Sequence, residues 1–130
     1  KLALYKYPSF STAESIIGLR KFLISCRGKY TAPIMVGDIN IDILDQQGNA
    51  AHDYVNALHG EGSQSLMNTP TRKHRCIDHI FLKSTVPIAN FTSICWKMGL
   101  TDHDSVILIM RGTDNDFPIR IHPKNSKIFY

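Results

Sequence analysis

The sequence predicts a layered, mixed α/β domain with more strand than helix. Three features support this. Short apolar runs of strand length recur from one end of the chain to the other. Only two stretches carry a helical apolar period. Clusters of Gly, Asp, Asn and Thr break the pattern where apolar runs stop or start. With 130 residues, 43% hydrophobic and 20% charged, the chain can build one core and is too apolar for disorder.

Lys1–Tyr7 reads as a strand ended by Pro8. It lacks the charged-then-apolar layout of a signal peptide, and a start inside a strand reads as a fragment of a longer polypeptide. Ser11 and Glu14 form a capping box. Ile16, Leu19 and Leu23, with Ile17 and Ile24, then give an apolar helix face to about Ser25, with Gly28 as the stop. Pro33–Val36 is a short strand entering Gly37-Asp38, and Ile39–Gln47 is loop-like. Asn49 caps a second helix running to Leu58, with Gly60 after it. Gly60–Ser65 is a turn and Ser65–Asn68 a short strand. A polar, basic connection, Thr69–Arg75, leads into the strand Cys76–Lys83. Ile88–Trp96 and Ser105–Met110 are further strands, Gly112–Asp116 is a turn, and Pro118–Tyr130 is a basic edge strand and tail.

Composition narrows the function. No apolar run approaches the roughly 20 residues of a membrane span. The net charge of +4 suits a polyanionic partner. Cys26, Cys76 and Cys95 show no CxxC spacing, which argues against a disulfide framework and a Cys-ligated zinc site. They read as small buried side chains in a reduced, intracellular protein.

Three polar clusters, each attached to a strand-like run, carry the candidate chemistry. In Gly37-Asp38-Ile39-Asn40 the carboxylate can orient and deprotonate a water, and the amide can donate to a developing oxyanion. Their spacing of two puts both on one side if strand geometry persists. The tetrapeptide alone fits a surface turn better. Asp78 lies inside the apolar run Cys76–Leu82, where a carboxylate is costly unless paired or metal-bound. His79 alternates to the opposite face and reads as structural. Asp102 suits a hard cation such as Mg2+. His103 suits a pair with Asp78 that fixes its tautomer, and Asp104 reads as a loop or capping residue. The phenol of Tyr5, at the end of the first strand, can reach a phosphate oxygen or simply be a half-buried strand residue. Arg72, Lys73, His74 and Arg75 form the densest basic cluster, suited to phosphate contacts on a duplex.

The order Tyr5, Gly37-Asp38-Ile39-Asn40, Ile77-Asp78-His79-Ile80-Phe81, Thr101-Asp102-His103 resembles the endonuclease/exonuclease/phosphatase superfamily. Within it the chain looks most like the apurinic-type endonuclease domain of non-LTR retrotransposons. Thr69-Pro70-Thr71-Arg72 and Gly99-Leu100-Thr101-Asp102-His103 resemble the wording of arthropod-type elements. The resemblance implies a four-layer α/β sandwich of the DNase-like type, with residues 1–118 as the C-terminal part of the domain and 119–130 leading onward. It implies Asp38 as general base and Asn40 on the transition state and leaving group. Asp78 would partner His103, Asp102 would lie near the metal, and Tyr5 would contact phosphate. It further implies Mg2+ (alternatively Mn2+) as cofactor. DNA would be the substrate and a reverse transcriptase region of the same polyprotein the partner, in the nucleus.

The chain departs from that pattern. The family's metal-ligating glutamate lies upstream of the tyrosine, whereas this chain has only Glu14 and Glu61, neither in that position. The motif after the tyrosine is Lys6-Tyr7-Pro8, not Arg-Pro-Pro or Ala-Pro-Asn. A small-molecule phosphodiesterase or phosphatase, and an inactive nucleic-acid-binding fragment, are the alternatives.

Overall fold

The computed structural model describes residues 2–28, 33–83 and 87–112. The expected tail Pro118–Tyr130, most of the turn Gly112–Asp116, and the boundary at 118 lie outside the described residues.

Strand β1 (Leu2–Tyr5) leads through helix α1 (Thr12–Cys26) to β2 (Ile34–Asp38), which pairs parallel to β1. A helical crossover is the usual way to return a strand in parallel. Helix α2 (Asn49–Gly60) follows, then β3 (Gln64–Ser65) and β4 (Asp78–Leu82). These make a four-stranded sheet in the order β1-β2-β4-β3, with β4 antiparallel to both neighbours. β5 (Phe91–Trp96) and β6 (Ser105–Met110) form a separate antiparallel pair.

Strand alternation splits the core into two. Met35 and Phe81, opposite one another in register, face the helices and pack with Leu23, Ala51, Tyr54 and Leu58. Val36 and Ile80, the next register pair, face the other way and pack with Met67, Cys76, Cys95, Val106 and Leu108. The described residues thus form three layers: helices, four-stranded sheet, two-stranded sheet. A fourth layer is not seen among them. The outer face of β5–β6 instead shows Ile94, Trp96, Ile107 and Ile109 to solvent. No helix among the described residues is long and apolar enough to cross a membrane.

Several expected boundaries shift for local reasons. β1 stops at Tyr5 because Tyr7–Phe10 closes a turn, the Phe10 N–H donating to the Tyr7 carbonyl. On α1, Ile16, Leu19 and Leu23 do face the core, but Ile17 and Ile24 are about half exposed. Residue 17 sits one step, about a quarter turn, around the helix from 16. Phe22 and Cys26 complete the inner stripe. Ser11 caps α1, its Oγ accepting from the Glu14 N–H, and Gly28 takes φ +72°, the left-handed stop that glycine tolerates. The N-cap of α2 is Gly48 and not Asn49, which is the first helical residue. The short strand near residue 65 is Gln64–Ser65, and Ile88–Asn90 is a single 3₁₀ turn ahead of β5.

Candidate functional site

β2 ends at Asp38 and β4 begins at Asp78, and the antiparallel register sets these two directly opposite one another. Both carboxylates therefore leave the same rim of the sheet. Like charges so placed repel. His103, in the loop before β6, relieves part of this: its Nδ1 lies 2.9 Å from Asp78 Oδ2. One ligand atom each from Asp38, Asp78 and His103 lie within 4.8 Å of one another, all three residues half-buried. The chemistry of this donor set fits a hard cation, which takes one or two carboxylates and fills the remaining positions with water.

Chain geometry, not a continued strand, brings Asn40 to the rim. Asp38 Oδ1 accepts the Asn40 N–H at 3.0 Å, an Asx turn, and Asn40 sits at φ +53°. Alternation past Gly37 therefore does not apply. The Asn40 Nδ2 donates to the Lys6 carbonyl at 2.9 Å, while the Lys6 N–H donates to the Asp38 carbonyl. These bonds tie the end of β1 to the end of β2 and place Tyr5 in register with Asp38. The Tyr5 ring is half exposed, edge-on to Tyr7 at 5.0 Å.

Asp102 is not part of the close group. It is exposed and ion-paired with Arg72, whose hydrogen bond holds its carboxyl below the usual carboxylate range. Of the basic cluster, Arg72 is so engaged, and Arg75 Nε lies 3.9 Å from Asp42 Oδ2. Lys73 is exposed in the tight Arg72–Arg75 turn at φ +55°. Asp104 anchors its loop: its N–H donates to the Thr71 carbonyl at 2.7 Å.

His79 faces away from the rim, as alternation requires. Its Nε2 is 3.0 Å from the Cys76 carbonyl and its Nδ1 3.4 Å from the Tyr54 hydroxyl. A carbonyl only accepts, so Nε2 carries the proton and the phenol donates to Nδ1. Burial lowers the His79 pKa, keeping the ring neutral, and raises that of Tyr54. Burial, with the charges of Asp42 and Asp78, pushes the Cys76 thiol up to about 12, and burial with Asp104 raises Cys95. All three cysteines are free, Cys26 and Cys76 buried and Cys95 half-buried.

Two supporting residues are not evident from the sequence. Thr71 is fully buried, and its Oγ1 accepts from the N–H groups of Ile77 (3.2 Å) and Asp78 (3.0 Å). Its carbonyl holds Asp104, so one threonine braces both sides of the Asp78–His103 pair. Asp42 Oδ1 accepts from the Leu44 and Cys76 N–H groups and shapes the loop after β2. The only signal for Thr71 is its neighbourhood, Thr-Pro-Thr-Arg, ahead of the buried strand. Glu61 is also buried, paired with Arg27 at 2.6 Å and Arg20 at 3.9 Å, and lies outside the close acidic group.

No protein-family model matches the sequence, and no curated protein matches it. Solved structures do. A mannosyl-6-phosphatase of Bacteroides thetaiotaomicron VPI-5482 matches with a TM-score of 0.50 at 17% identity, over 83% of this chain and 49% of that one. An endonuclease/exonuclease/phosphatase family protein of the same species matches with a TM-score of 0.50 at 16% identity, over 88% of this chain and 48% of that one. The chain thus spans about half the length of these structures. At such identities what is shared is the course of the backbone: the chain has part of the fold of an endonuclease/exonuclease/phosphatase family protein.

Proposed function

We propose that the chain belongs to a Mg2+-dependent phosphoester hydrolase acting on DNA, an endonuclease that nicks one strand. The observation that carries this reading is the convergence of Asp38, Asp78 and His103 within 4.8 Å at one sheet rim. Asp38 has one oxygen engaged by the Asn40 N–H, which fixes its orientation and leaves the other to take a proton from an attacking water. Asp78 holds His103 through Nδ1, so that Nε2 of the imidazolium form donates to a phosphoryl oxygen. The second amide N–H of Asn40 is a further donor for developing charge. Asp78, with the charge of Asp38 beside it, would hold a divalent cation, which when bound would supply Lewis-acid stabilisation of the phosphoryl oxygens.

DNA as substrate is supported by the Arg72–Arg75 turn that leads into β4, and by the net charge of +4. The wording Thr69-Pro70-Thr71-Arg72 supports a retroelement origin, in which the 3′-hydroxyl at the nick primes a reverse transcriptase of the same polyprotein in the nucleus. A second reading, a phosphatase of small sugar phosphates, is favoured by the structural likeness to the mannosyl-6-phosphatase.

Nicking of supercoiled plasmid, set against phosphate release from hexose 6-phosphates, separates the two. The expected result is Mg2+-dependent nicking that falls by about 10²–10⁴-fold in Asp38→Asn and His103→Ala. Nicking that survives either substitution removes the mechanism. Phosphate release without nicking replaces the endonuclease with the phosphatase.

A further inference from the structure

On the helix side of the same rim, between α1 and the end of β1, lies a cavity of about 570 Å³. That volume is in the range of small-ligand sites. Its walls bring together the rings of Tyr5, Tyr7, Phe10, Phe22 and Tyr54. Tyr5, Tyr7 and Phe10 are 47%, 44% and 53% exposed, so three large rings stand half in water around one opening. Leaving such rings wet forgoes their burial energy, and neighbouring exposed apolar groups mark binding surfaces.

The second observation is Lys6, which also lines the cavity. It is 9% exposed, yet among the described residues the amine has one long hydrogen bond, from Nζ to the Tyr7 carbonyl at 3.4 Å. No carboxylate among the described residues pairs with it. A lysine so little exposed, with two N–H donors unengaged among the described residues, favours an anion that can reach it. Lys21 adds a second cation to the lining, against the single acid Glu14, whose carboxylate already accepts from the Ser11 hydroxyl.

We propose that this cavity binds a flat aromatic group carrying an anionic substituent, the ring against the tyrosine and phenylalanine faces and the anion on Lys6. Nucleobases with their phosphate and simple aryl phosphates share this chemistry. The Lys6 carbonyl accepts from Asn40 and its N–H donates to the Asp38 carbonyl, so a residue lining the cavity is tied directly to the proposed reacting centre. Its role as the subsite for the substrate's non-reacting part rests on the hydrolase reading; the binding itself does not.

Gly18 provides the test. It lies in the middle of α1 on the cavity wall, and a Cβ added there meets nothing within 4 Å. Gly18→Leu therefore adds bulk at the cavity wall from a Cβ that has open space, and improves helix propensity. Calorimetric titration of the whole chain in EDTA would compare inorganic phosphate, phenyl phosphate and adenosine 5′-monophosphate. Phenyl phosphate is expected to bind roughly 5- to 150-fold more tightly than inorganic phosphate, the worth of one stacked ring. Gly18→Leu is expected to abolish that advantage with the melting temperature retained. Lys6→Met is expected to weaken phenyl phosphate while leaving neutral benzyl alcohol unaffected. Binding of adenosine 5′-monophosphate as tight as phenyl phosphate assigns a nucleobase, and weaker binding assigns a simple aryl ester. Equal affinity for inorganic and phenyl phosphate, or an unchanged advantage in Gly18→Leu, overturns the proposal. An intact advantage in Asp38→Asn with no hydrolysis of any substrate by the wild-type chain keeps the site and discards the hydrolase.

Discussion

Replacing Thr71 by valine removes one oxygen and keeps the shape of the side chain. The oxygen lost is the acceptor for two backbone N–H groups, those of Ile77 and Asp78, in a position with no solvent access. Each buried donor left without a partner costs about 1–3 kcal/mol, so the two together bound the loss at about 2–6 kcal/mol. The extra methyl contributes on the order of 1 kcal/mol of apolar burial in return. A net loss of about 1–5 kcal/mol is expected, a large share of the roughly 5–15 kcal/mol that holds a domain together. Thr71→Ser is the control. It keeps the acceptor and loses one methyl group, about 1 kcal/mol. Urea unfolding of the three proteins at equilibrium measures both differences, with an unchanged m-value showing that the same surface is exposed. Because Thr71 also holds Asp104 through its carbonyl, the valine variant should loosen the approach of Asp78 to His103. Mn2+-induced broadening of the resonances at the rim reports that separately. Equal losses in the valine and serine variants would show that the hydroxyl is not the brace, and the account of how Asp78 is positioned would fail.

Other outcomes follow from single groups. Asp38→Asn removes the repulsion between opposed carboxylates, so the metal-free protein should gain about 0.5–1 kcal/mol. The same variant should lose most of the stabilisation, about 2.7 kcal/mol at 100 times the dissociation constant, that Mg2+ gives the wild type. An undiminished Mg2+ effect would place the cation elsewhere. Burial lowers the His79 pKa below its unfolded value of 6.5, so the unfolded chain binds more protons between the two values. This contribution to stability is complete above the unfolded pKa and is lost as pH falls from there toward the folded pKa. His79→Gln should flatten that part of the pH profile, and an unchanged slope would contradict a neutral, buried ring. Ser63 is fully buried with no hydrogen-bond partner for its Oγ among the described residues, so Ser63→Ala should stabilise by roughly 1–2 kcal/mol in thermal melts. A destabilised alanine variant would reveal a partner for the hydroxyl.

What sequence reasoning reaches here is what period and burial cost encode. Asp78 stands out because a carboxylate interrupts an apolar run, and His79 reads as structural because alternation turns it to the other face. The pairing of His103 with Asp78 is inferable as chemistry, because a buried carboxylate needs a partner. Asn40, Thr71 and Asp102 are different. Asn40 reaches the rim through a left-handed residue and an Asx turn, which an extrapolated strand cannot represent. Thr71 acts through a hydroxyl on backbone groups, and any buried threonine looks the same in a sequence. Asp102 meets Arg72 because the loop before β6 is held against the turn before β4, the Asp104 N–H donating to the Thr71 carbonyl. Boundaries such as Gly48 for Asn49 turn on a single dihedral at a helix start.

The placement of the rim carboxylates is a consequence of packing rather than of their own attraction. Met35 must sit opposite Phe81 to face the helices, and Val36 opposite Ile80 to face the second sheet. Once those pairs are in register, Gly37 falls opposite His79 and Asp38 opposite Asp78. A slip of one residue would turn the apolar sets to the wrong layers and also move Asp38 off Asp78. The core therefore forces together two groups that repel. The strain of opposing carboxylates is tolerated because apolar burial over two layers outweighs a repulsion of under about 1 kcal/mol. The cation proposed at that rim would draw on charge that the hydrophobic pattern has already positioned.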